Sequence, residues 1–465
     1  MDRLHENRIY TGTVESYSSE GLGIVRLDGA VVFVPQAVRG ETIDLKITKV
    51  MKTAAAGEIV KIHKPSPDRA QPECPDYGRC GGCDFQHLTY PEELWAKRQR
   101  VQDALTRLGG ADIRVEEILG AKNPLHYRNK SQYPVGADGA IGFYRARSHQ
   151  VVPVKRCLIQ PEAADKTAAA VGEWMRRYKV PAYDEATGKG LVRHVYVRVN
   201  RKGESLCCVV VNGRQVPREP ELAALIRAAA PRTVGVVLNS NTRRGNVILG
   251  EKYRTLWGQD YLMDTLCGLQ FKLSVPSFYQ VNRDQAEGLY GKALEYAALT
   301  GEETVLDLYC GTGTITLCLA RQAKRAIGAE IVPPAIADAR ENAERNGIGN
   351  AEFFCGDASD IAAKLEVEGL RPNVITVDPP RKGLAPDVIA SVAGMAPERV
   401  VYVSCDPATL GRDVKLFATF GYQAERAAAV DMFPGTAHVE TVVLLTKEAV
   451  EHHINWVEDH QAPLL

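Results

Sequence analysis

The chain has 465 residues, with 57 basic and 57 acidic side chains, 45% hydrophobic residues and 7% aromatic residues. This composition is typical of a globular protein and excludes a collagenous, coiled-coil or disordered chain. No apolar run approaches the ~18 residues of a membrane span, and the polar start lacks the apolar core of a secretion signal. We therefore expect a cytoplasmic protein without a membrane partner. Its eleven cysteines are then expected to be ligands, catalytic groups or packing residues rather than disulfides.

The balanced total hides an uneven distribution of charge. Residues 1–62 carry 8 basic and 8 acidic residues, residues 63–270 carry 32 and 22, and residues 271–465 carry 17 and 27. A basic middle beside an acidic end predicts a polyanion-binding segment next to a segment with a different task. Ordinary solvated surface charge is the alternative.

Residues 1–62 contain five short strand-like runs separated by turn residues. The runs are Ile9–Tyr17, Gly23–Leu27, Ala30–Val34, Thr42–Val50 and Gly57–His63. This pattern predicts a small OB-like Greek-key barrel, a fold often used to bind nucleic acid, although a scaffold role is also possible. Lys64-Pro-Ser-Pro67 then marks a linker.

Residues 63–270 mix strand-like and helical runs and predict an α+β domain. The strand-like runs are Leu191–Asn200, Ser205–Asn212, Thr233–Leu238 and Gly245–Leu249, and the helical ones are Glu92–Leu108, Pro161–Tyr178 and Glu219–Ala230. The stretch His126–Arg156 holds six basic residues and four aromatic ones against one acid. Basic side chains among stackable rings suit single-stranded RNA, but the rings could equally be core residues.

Four cysteines in this middle segment have the spacing of a metal centre. They stand as Cys74-x5-Cys80-Gly-Gly-Cys83, with Cys157 after 73 intervening residues. By spacing alone zinc and an iron–sulfur cluster compete, because four thiolates serve both. Only one short CxxC pair is present, whereas zinc ribbons usually have two. Six further cysteines are predicted to be packing residues: Cys207, Cys208, Cys267, Cys310, Cys318 and Cys355.

From residue 271 to 449 strand-like runs alternate with helical ones. The strand-like runs are Thr304–Leu308, Arg325–Ala329, Ala351–Phe354, Val374–Val377 and Val400–Val403. This rhythm predicts a doubly wound, Rossmann-like parallel sheet with its ligands at the carboxyl ends of the strands. Two last strands, Glu425–Val430 and Thr441–Leu445, are expected to close the edge as an antiparallel pair. Residues 450–465 are expected to be a peripheral tail.

The segment from Asp307 to Thr314, DLYCGTGT, follows a strand and precedes a helix. Its glycines, Gly311 among them, allow a ligand to approach the backbone closely. The third glycine of a dinucleotide loop and the lysine of a phosphate loop are missing, which disfavours a pyrophosphate. Glu330 at the next strand end can bind ribose hydroxyls, and Asp357 at the one after can bind an adenine amino group. The pattern indicates S-adenosylmethionine; the alternative is a glycine turn with exposed acids.

Three motifs at later strand ends suggest the chemistry. Asp378-Pro-Pro-Arg holds its aspartate rigidly at the pocket mouth, as a similar element does in amino methyltransferases. Cys405 stands just before a helix whose N-terminal dipole is expected to favour the thiolate. Glu440, immediately before the final strand, can act as a base. A thiolate that adds to carbon 6 of uracil activates carbon 5 for methylation, and a base must then remove the carbon-5 proton. The alternatives are a buried small cysteine and a surface glutamate.

Five segments in this order resemble the RNA uracil-5-methyltransferase family: FYQVN at 278–282, DLYCGTGT, DPPRKG, SCDPATLGRD and HVET. The resemblance covers essentially the whole chain, since the N-terminal barrel resembles the TRAM domain of that family. It implies Cys405 as nucleophile and Glu440 as base. It also implies donor contacts from four residues: Gln280, Tyr309, Glu330 and Asp378. One departure is Thr314, where several members have Asn, which leaves one donor contact open.

The resemblance also bears on the substrate and the cysteines. The ribosomal-RNA branch of the family has the four-cysteine pattern and the transfer-RNA branch does not, which implies a [4Fe–4S] cluster at Cys74, Cys80, Cys83 and Cys157, with zinc as the alternative. It implies 5-methyluridine formation in 23S ribosomal RNA, at a base that leaves its stack in single-stranded or opened RNA. Three rivals remain: a transfer-RNA uracil-5-methyltransferase, an amino methyltransferase, and a noncatalytic RNA-binding module. The modified uridine and the oligomeric state are not indicated.

Overall fold

The computed structural model describes residues 4–447 of the chain, so the predicted tail at 450–465 lies outside the described residues. The first five strands are β1 (Ile9–Tyr17), β2 (Gly23–Leu27), β3 (Ala30–Val34), β4 (Thr42–Val50) and β5 (Ala54–Lys64). They form a closed barrel in the order β1-β2-β3-β5-β4. Along β4, Ile43, Leu45 and Ile47 alternate inward and are fully buried, as the period of a strand requires. The predicted barrel is confirmed.

One helix and one strand follow the barrel before the middle sheet begins. The helix α1 (Tyr90–Asp103) continues into a π-helical turn, Ala104–Leu108, and leads to the strand β6 (Val115–Leu119). Both pack against the C-terminal sheet described below, rather than against the middle sheet.

The middle sheet has five strands, covered on one face by two helices. Its elements and the hairpin beside it are β7 (Lys130–Pro134), β8 (Gly142–Tyr144), β9 (Val151–Pro153), α2 (Glu162–Arg177), β10 (Val192–Val199), β11 (Ser205–Val211), α3 (Glu219–Ala229), β12 (Thr233–Ser240) and β13 (Lys252–Gly258). The sheet order is β13-β12-β11-β10-β7. Trp174 of α2 is fully buried against Val195 and Val209 of the sheet. Tyr133 and Phe143 join this core with ring centroids 4.8 Å apart, so these aromatics of the basic stretch are packing residues.

The predicted strand Gly245–Leu249 is wrong. These residues are irregular, and Gly245 has a φ of +115°, which lies outside the strand region. The side-chain amide of Asn241 donates to the carbonyls of Val247 and Ile248 at 2.6 and 2.9 Å. A side chain therefore replaces the ladder of hydrogen bonds that a strand would provide, and the next strand begins only at Lys252.

The C-terminal part is an eight-stranded sheet with helices on both faces, preceded by a hairpin. Its elements are β14 (Tyr261–Leu266), β15 (Leu269–Ser274), α4 (Arg283–Ala297), β16 (Thr304–Leu308), α5 (Thr314–Ala320), β17 (Arg325–Glu330), α6 (Pro333–Arg345), β18 (Ala351–Cys355), α7 (Ala358–Val367), β19 (Val374–Val377), α8 (Pro386–Gly394), β20 (Arg399–Ser404), α9 (Pro407–Ala418), β21 (Tyr422–Val430) and β22 (Glu440–Lys447). The order is β18-β17-β16-β19-β20-β22-β21-β6. The predicted doubly wound sheet is confirmed.

Two features depart from the expected division of the chain. The boundary expected at residue 270 falls inside β15, and Phe271 and Leu273 of that strand lie in the core of the large sheet. The antiparallel pair of β21 and β22 is present, but it does not close the edge. The edge strand is β6, paired parallel to β21 with Val115 opposite Ala427 and Leu119 opposite Val430. A segment expected in the middle domain therefore completes the C-terminal sheet.

The large sheet is buried on both faces. In β20 the side chains of Val401 and Val403 enter one core, while those of Val400 and Tyr402 enter the other. Burial on both faces explains why these strands are almost continuously apolar in sequence. Among the helices of residues 4–447, none is long and apolar enough to cross a membrane.

Candidate active site

A strained glycine loop follows β16 and faces open space. Tyr309, Gly311 and Gly313 all have positive φ, of 66°, 55° and 80°. A Cβ placed on Gly311 would meet nothing within 4 Å, whereas one on Gly313 would lie 3.1 Å from Ala339 and Phe353. Gly313 therefore serves close packing, and Gly311 lies at the free side of the loop, where a ligand can approach the backbone.

A buried carboxylate supports this loop from beneath. Asp307 accepts hydrogen bonds from the hydroxyls of Thr316 at 2.5 Å and Thr376 at 2.6 Å. Burial raises the pKa of Asp307 to about 6, although both hydrogen bonds oppose the shift. These contacts tie β16 to α5 and β19. Thr316 stands where a dinucleotide loop has its third glycine, and its hydroxyl donates a hydrogen bond to Asp307. The sequence pattern did not reveal this hydrogen bond.

The carboxylates predicted to hold a nucleoside lie at adjacent strand ends. Glu330 accepts the backbone N–H of Gly311 at 3.2 Å and that of Val332 at 3.0 Å. Asp357 follows the neighbouring strand and accepts the N–H and the hydroxyl of Ser359 at 2.9 and 2.6 Å, so it caps α7. These bonds lower the pKa of Asp357. Burial, and then the Asp357 charge, raise the pKa of Tyr309 to about 12, which places Tyr309 at the same edge.

Apolar side chains stand exposed beside these carboxylates. Ile331 and Val332, directly after Glu330, are 58% and 47% exposed. Together with the free backbone at Gly311 they offer the apolar surface and polar rim that a nucleoside requires. Ile331 and Val332 were not predicted as site residues. In the sequence, only their position directly after Glu330 indicates such a role. Cys355, at the end of β18, is also exposed, so the prediction that it is a packing residue is wrong.

Gln280 lies in a segment held by the middle sheet. Its carbonyl accepts the side-chain amide of Asn129 at 2.7 Å, and the carbonyl of Ser277 accepts the guanidinium of Arg198. Gln280 is buried, whereas the ring of Phe278 is 61% exposed. Residues of the middle domain therefore help to fix the backbone conformation of residues 277–280.

Asp378, Cys405 and Glu440 meet at the same edge of the sheet. Asp378 follows β19, Cys405 follows β20, and Glu440 begins the antiparallel strand β22. The pairing of Val377 with Tyr402 and of Ser404 with Thr441 sets the three in register. Glu440 is 4% exposed, and Cys405 is partly exposed.

These groups perturb the pKa values of one another. Burial, and then the charge of Asp378, raise the pKa of Glu440 to about 8. Burial and the charge of Asp307 raise the pKa of Asp378 to about 7. Burial, Glu440 and Asp378 together raise the pKa of the Cys405 thiol to about 11. Near neutral pH the free protein therefore holds Cys405 as a thiol.

The expectation that a helix dipole favours the Cys405 thiolate is wrong for the free protein. Asp406 caps α9 and accepts the N–H groups of Ala408 and Thr409 at 2.9 and 3.2 Å. Its negative charge occupies the positive end of the helix, while burial, and then the charges of Glu440 and Asp378, disfavour a thiolate at Cys405. The positive charge of Arg381 opposes these effects, because it favours the anionic forms of both Cys405 and Glu440 and so acts to lower their pKa values. Arg381 was not predicted as a site residue. Its position as the last residue of the Asp378-Pro-Pro-Arg motif could have indicated this role.

The four predicted ligand cysteines line one cavity of about 210 Å³. Burial and three neighbouring thiols, those of Cys157, Cys80 and Cys74, raise the pKa of Cys83 to about 12. Arg128 also lines the cavity, and its buried Nε has no hydrogen-bond partner. Within residues 4–447 there is no group of three or more His, Cys, Asp or Glu side chains arranged to hold a single metal ion.

A doubly wound sheet with a glycine loop, an acidic second strand end and a preceding barrel defines a SAM-dependent methyltransferase fold. The family model described as tRNA (uracil-5-)-methyltransferase matches residues 89–448, and the TRAM domain model matches residues 3–60. The chain therefore belongs to the RNA uracil-5-methyltransferase family, and its barrel is a TRAM domain.

Relatives and a solved structure agree with this assignment. The chain is 42% identical over 447 residues to an uncharacterized RNA methyltransferase of Clostridium tetani, covering 95% of this chain and 97% of that protein. A second such protein, from Halalkalibacterium halodurans, is 42% identical over 447 residues, covering 95% and 98%. The crystal structure of Pyrococcus abyssi tRNA (uracil-54, C5)-methyltransferase with S-adenosyl-L-homocysteine has a TM-score of 0.77 and 25% identity, covering 94% of this chain and all of that one.

Proposed function

We propose that this protein transfers a methyl group from S-adenosylmethionine to carbon 5 of a uridine in 23S ribosomal RNA. The observation that carries the proposal is the convergence of a thiol, Cys405, and a buried carboxyl of high proton affinity, Glu440, at one sheet edge. Methylation of an exocyclic nitrogen needs neither group, whereas methylation of a pyrimidine carbon needs both.

The residues around the glycine loop fit S-adenosylmethionine. The open side of Gly311 would admit the donor, Glu330 would bind its ribose, and Ile331 would contact its adenine. Tyr309, Gln280 and Asp378 would contact the rest of the donor. Asp357 would contact the adenine amino group through the oxygen that does not cap α7. The bound donor supplies an electrophilic methyl group, and the S-adenosyl-L-homocysteine in the Pyrococcus structure supports this choice.

Three residues would then perform the chemistry. The Cys405 thiol releases its proton to water, and the thiolate then bonds to carbon 6 of the uracil. The electron pair of the carbon 5–carbon 6 double bond moves toward the carbon 4 oxygen and makes carbon 5 nucleophilic. Carbon 5 takes the methyl group and becomes tetrahedral. Glu440 removes the remaining carbon-5 proton, the carbon 5–carbon 6 double bond re-forms, and the sulfur leaves. Arg381 favours the anionic form of both groups.

The middle segment is proposed to bind the RNA. Its basic excess provides attraction to phosphates. The exposed ring of Phe278, which lies just after this segment and close to Gln280 in sequence, provides a surface for an unstacked base. A target base must leave its stack to reach Cys405. The ribosomal substrate also accords with the expected cytoplasmic location.

A transfer-RNA substrate is the second candidate, because the Pyrococcus enzyme that aligns with 94% of this chain is described as acting on tRNA. The test is methylation of purified 23S rRNA, 16S rRNA and tRNA by the full-length protein with labelled S-adenosylmethionine. Mapping of 5-methyluridine in RNA from cells lacking the gene completes it. We expect one or more sites in 23S rRNA to lose the modification. Label in tRNA alone would overturn the ribosomal assignment.

Two further rivals have direct tests. An amino methyltransferase built on Asp378-Pro-Pro-Arg would keep its activity when Cys405 is replaced by alanine. A noncatalytic RNA-binding module would show no heat of S-adenosylhomocysteine binding in calorimetry.

We also propose that the four cysteines hold a [4Fe–4S] cluster. Zinc, which takes four thiolates at ~2.3 Å from one centre, is the alternative occupant. A cavity of about 210 Å³ ringed by four thiols suits a larger cluster, and the unpartnered Arg128 Nε suits an anionic one. Iron and acid-labile sulfide analysis of anaerobically purified protein tests this. Bound zinc in colourless protein would contradict it.

A further inference from the structure

The loop that leads into Glu440 is held by one face of α1. This loop, 431–439, connects β21 to β22. Tyr90, Glu93, Lys97 and Arg100 lie three, four and three residues apart, which places them on one side of a helix. In sequence they resemble an ordinary solvent-facing polar stripe, but Glu93 and Lys97 are buried.

The contacts reach every second residue of the loop. Lys97 Nζ donates to Asp431 Oδ1 at 2.5 Å and to the carbonyl of Phe433 at 3.1 Å. Lys97 also donates to Glu93 Oε1 at 2.6 Å, and the same oxygen accepts the N–H of Gly435 at 2.7 Å.

Residues at the two ends of this face of α1 also contact the loop. Tyr90 donates to Asp431 Oδ2 at 2.7 Å. Arg100 donates to the carbonyl of Ala437 at 2.8 Å, three residues before Glu440. From the other side, Asp84, next to Cys83, accepts the N–H of Ala437 at 2.9 Å.

A buried ion-pair network of this kind adds little net stability, because desolvation of the charges offsets their attraction. The network does require a single arrangement of α1 and the loop, because only that arrangement satisfies the buried charges. The side chains of Lys97 and Asp431 are fully buried, although the two residues lie 334 residues apart in the chain. Cys405 follows β20 and is not part of this loop, whereas Glu440 comes directly after the loop.

We propose that Lys97, with Glu93 and Asp431, is a positioning group that holds Glu440 for removal of the carbon-5 proton. The inference rests on the proposed function. It predicts a step-specific defect: without Lys97, sulfur addition and methyl transfer proceed, while proton removal and release of the RNA slow down.

The test uses the full-length protein, ordinary uridine-containing RNA and rapid quenching. In Lys97→Met we expect single-turnover methyl transfer within threefold of the unaltered protein. We expect release to be slowed at least tenfold, with a methylated protein–RNA complex that survives denaturing electrophoresis. Lys292→Met is the matched control, since Lys292 also binds two carboxylates, Glu117 at 2.7 Å and Glu295 at 2.5 Å, away from the loop. It should accumulate no complex.

A double variant keeps the proposal testable if Lys97→Met alone fails to fold. Lys97→Met with Asp431→Asn removes both buried charges, and its folding is checked by S-adenosylhomocysteine binding. It should show the same covalent complex. Equal slowing of methyl transfer and release, with no complex in either variant, would overturn the proposal. Failure of the proposed function would look different, because the unaltered protein would then form no adduct with 5-fluorouridine RNA.

Discussion

Cys405 and Glu440 are brought together by one antiparallel strand pair, in which Ser404, the residue before the thiol, lies opposite Thr441, the residue after the carboxyl. Backbone hydrogen bonds of this strand pair therefore bring the two residues together, and the contacts of α1 with the loop 431–439 hold the chain that enters Glu440. A planar ring at this edge can be contacted by the thiol and by the carboxyl without movement of either strand.

Replacement of Cys405 by alanine should reduce kcat/KM by at least about 10³-fold, because no other group can form the bond to carbon 6. The same change should abolish the stable adduct with 5-fluorouridine RNA. Methylation kinetics and denaturing gels measure the two effects. Cys207→Ala is the control, since Cys207 is buried in the middle sheet far from the site in the fold. Retained activity in Cys405→Ala would favour the amino methyltransferase.

Replacement of Glu440 by glutamine should lower turnover by about 10²–10⁴-fold, because the amide cannot accept the carbon-5 proton. Methyl transfer itself should survive. A methylated covalent complex with ordinary RNA should therefore accumulate, and denaturing electrophoresis with labelled donor detects it. Label that is released as free methylated RNA at the normal rate would show that another base acts.

The stability advantage of the same variant over the unaltered protein should grow as the pH rises. The pKa of Glu440 is raised from 4.5 to about 8, so between these values the folded protein binds more protons than the unfolded chain. Stability then falls with increasing pH across this window. Glutamine removes that loss, and we expect Glu440→Gln to be more stable by at least about 2 kcal/mol at pH 8, with little difference at pH 5. Thermal denaturation at several pH values measures this, and a difference independent of pH would contradict it.

Two acidic residues of the nucleoside site should differ in their importance for the donor. Glu330→Gln should weaken S-adenosylhomocysteine binding by about 10–100-fold, the effect of a hydrogen bond to a charged group. Asp357→Asn should weaken it less, because one carboxylate oxygen already caps α7. Isothermal calorimetry gives both Kd values, and the reverse order would place the nucleoside nearer to β18.

Much of the fold was predictable because strand periodicity is visible in sequence. Five short strand-like runs separated by turn residues predicted the barrel, and the alternation of strand-like with helical runs after residue 271 predicted the doubly wound sheet. Residues placed directly at strand ends, such as Glu330 and Cys405, could be assigned to one edge because parallel strands end together.

What could not be predicted depends on distant partners. Lys97 and Glu93 have the spacing of a solvent-exposed i,i+4 pair, and only the fold reveals Asp431 beside them. The Cys405 pKa likewise depends on Glu440 and Asp378, which arrive from other strands. The short run of β6 gave no sign that it would pair with β21.

The edge position of β6 has a practical consequence for dissecting the protein. A recombinant fragment that begins at residue 271 would retain every motif for donor binding and catalysis. It would nonetheless leave the outer backbone of β21 unpaired and remove α1 from the back of the sheet. Such an exposed edge invites self-association, so truncations intended for crystallography or NMR should keep residues 89–120 covalently attached or supply them as a second polypeptide.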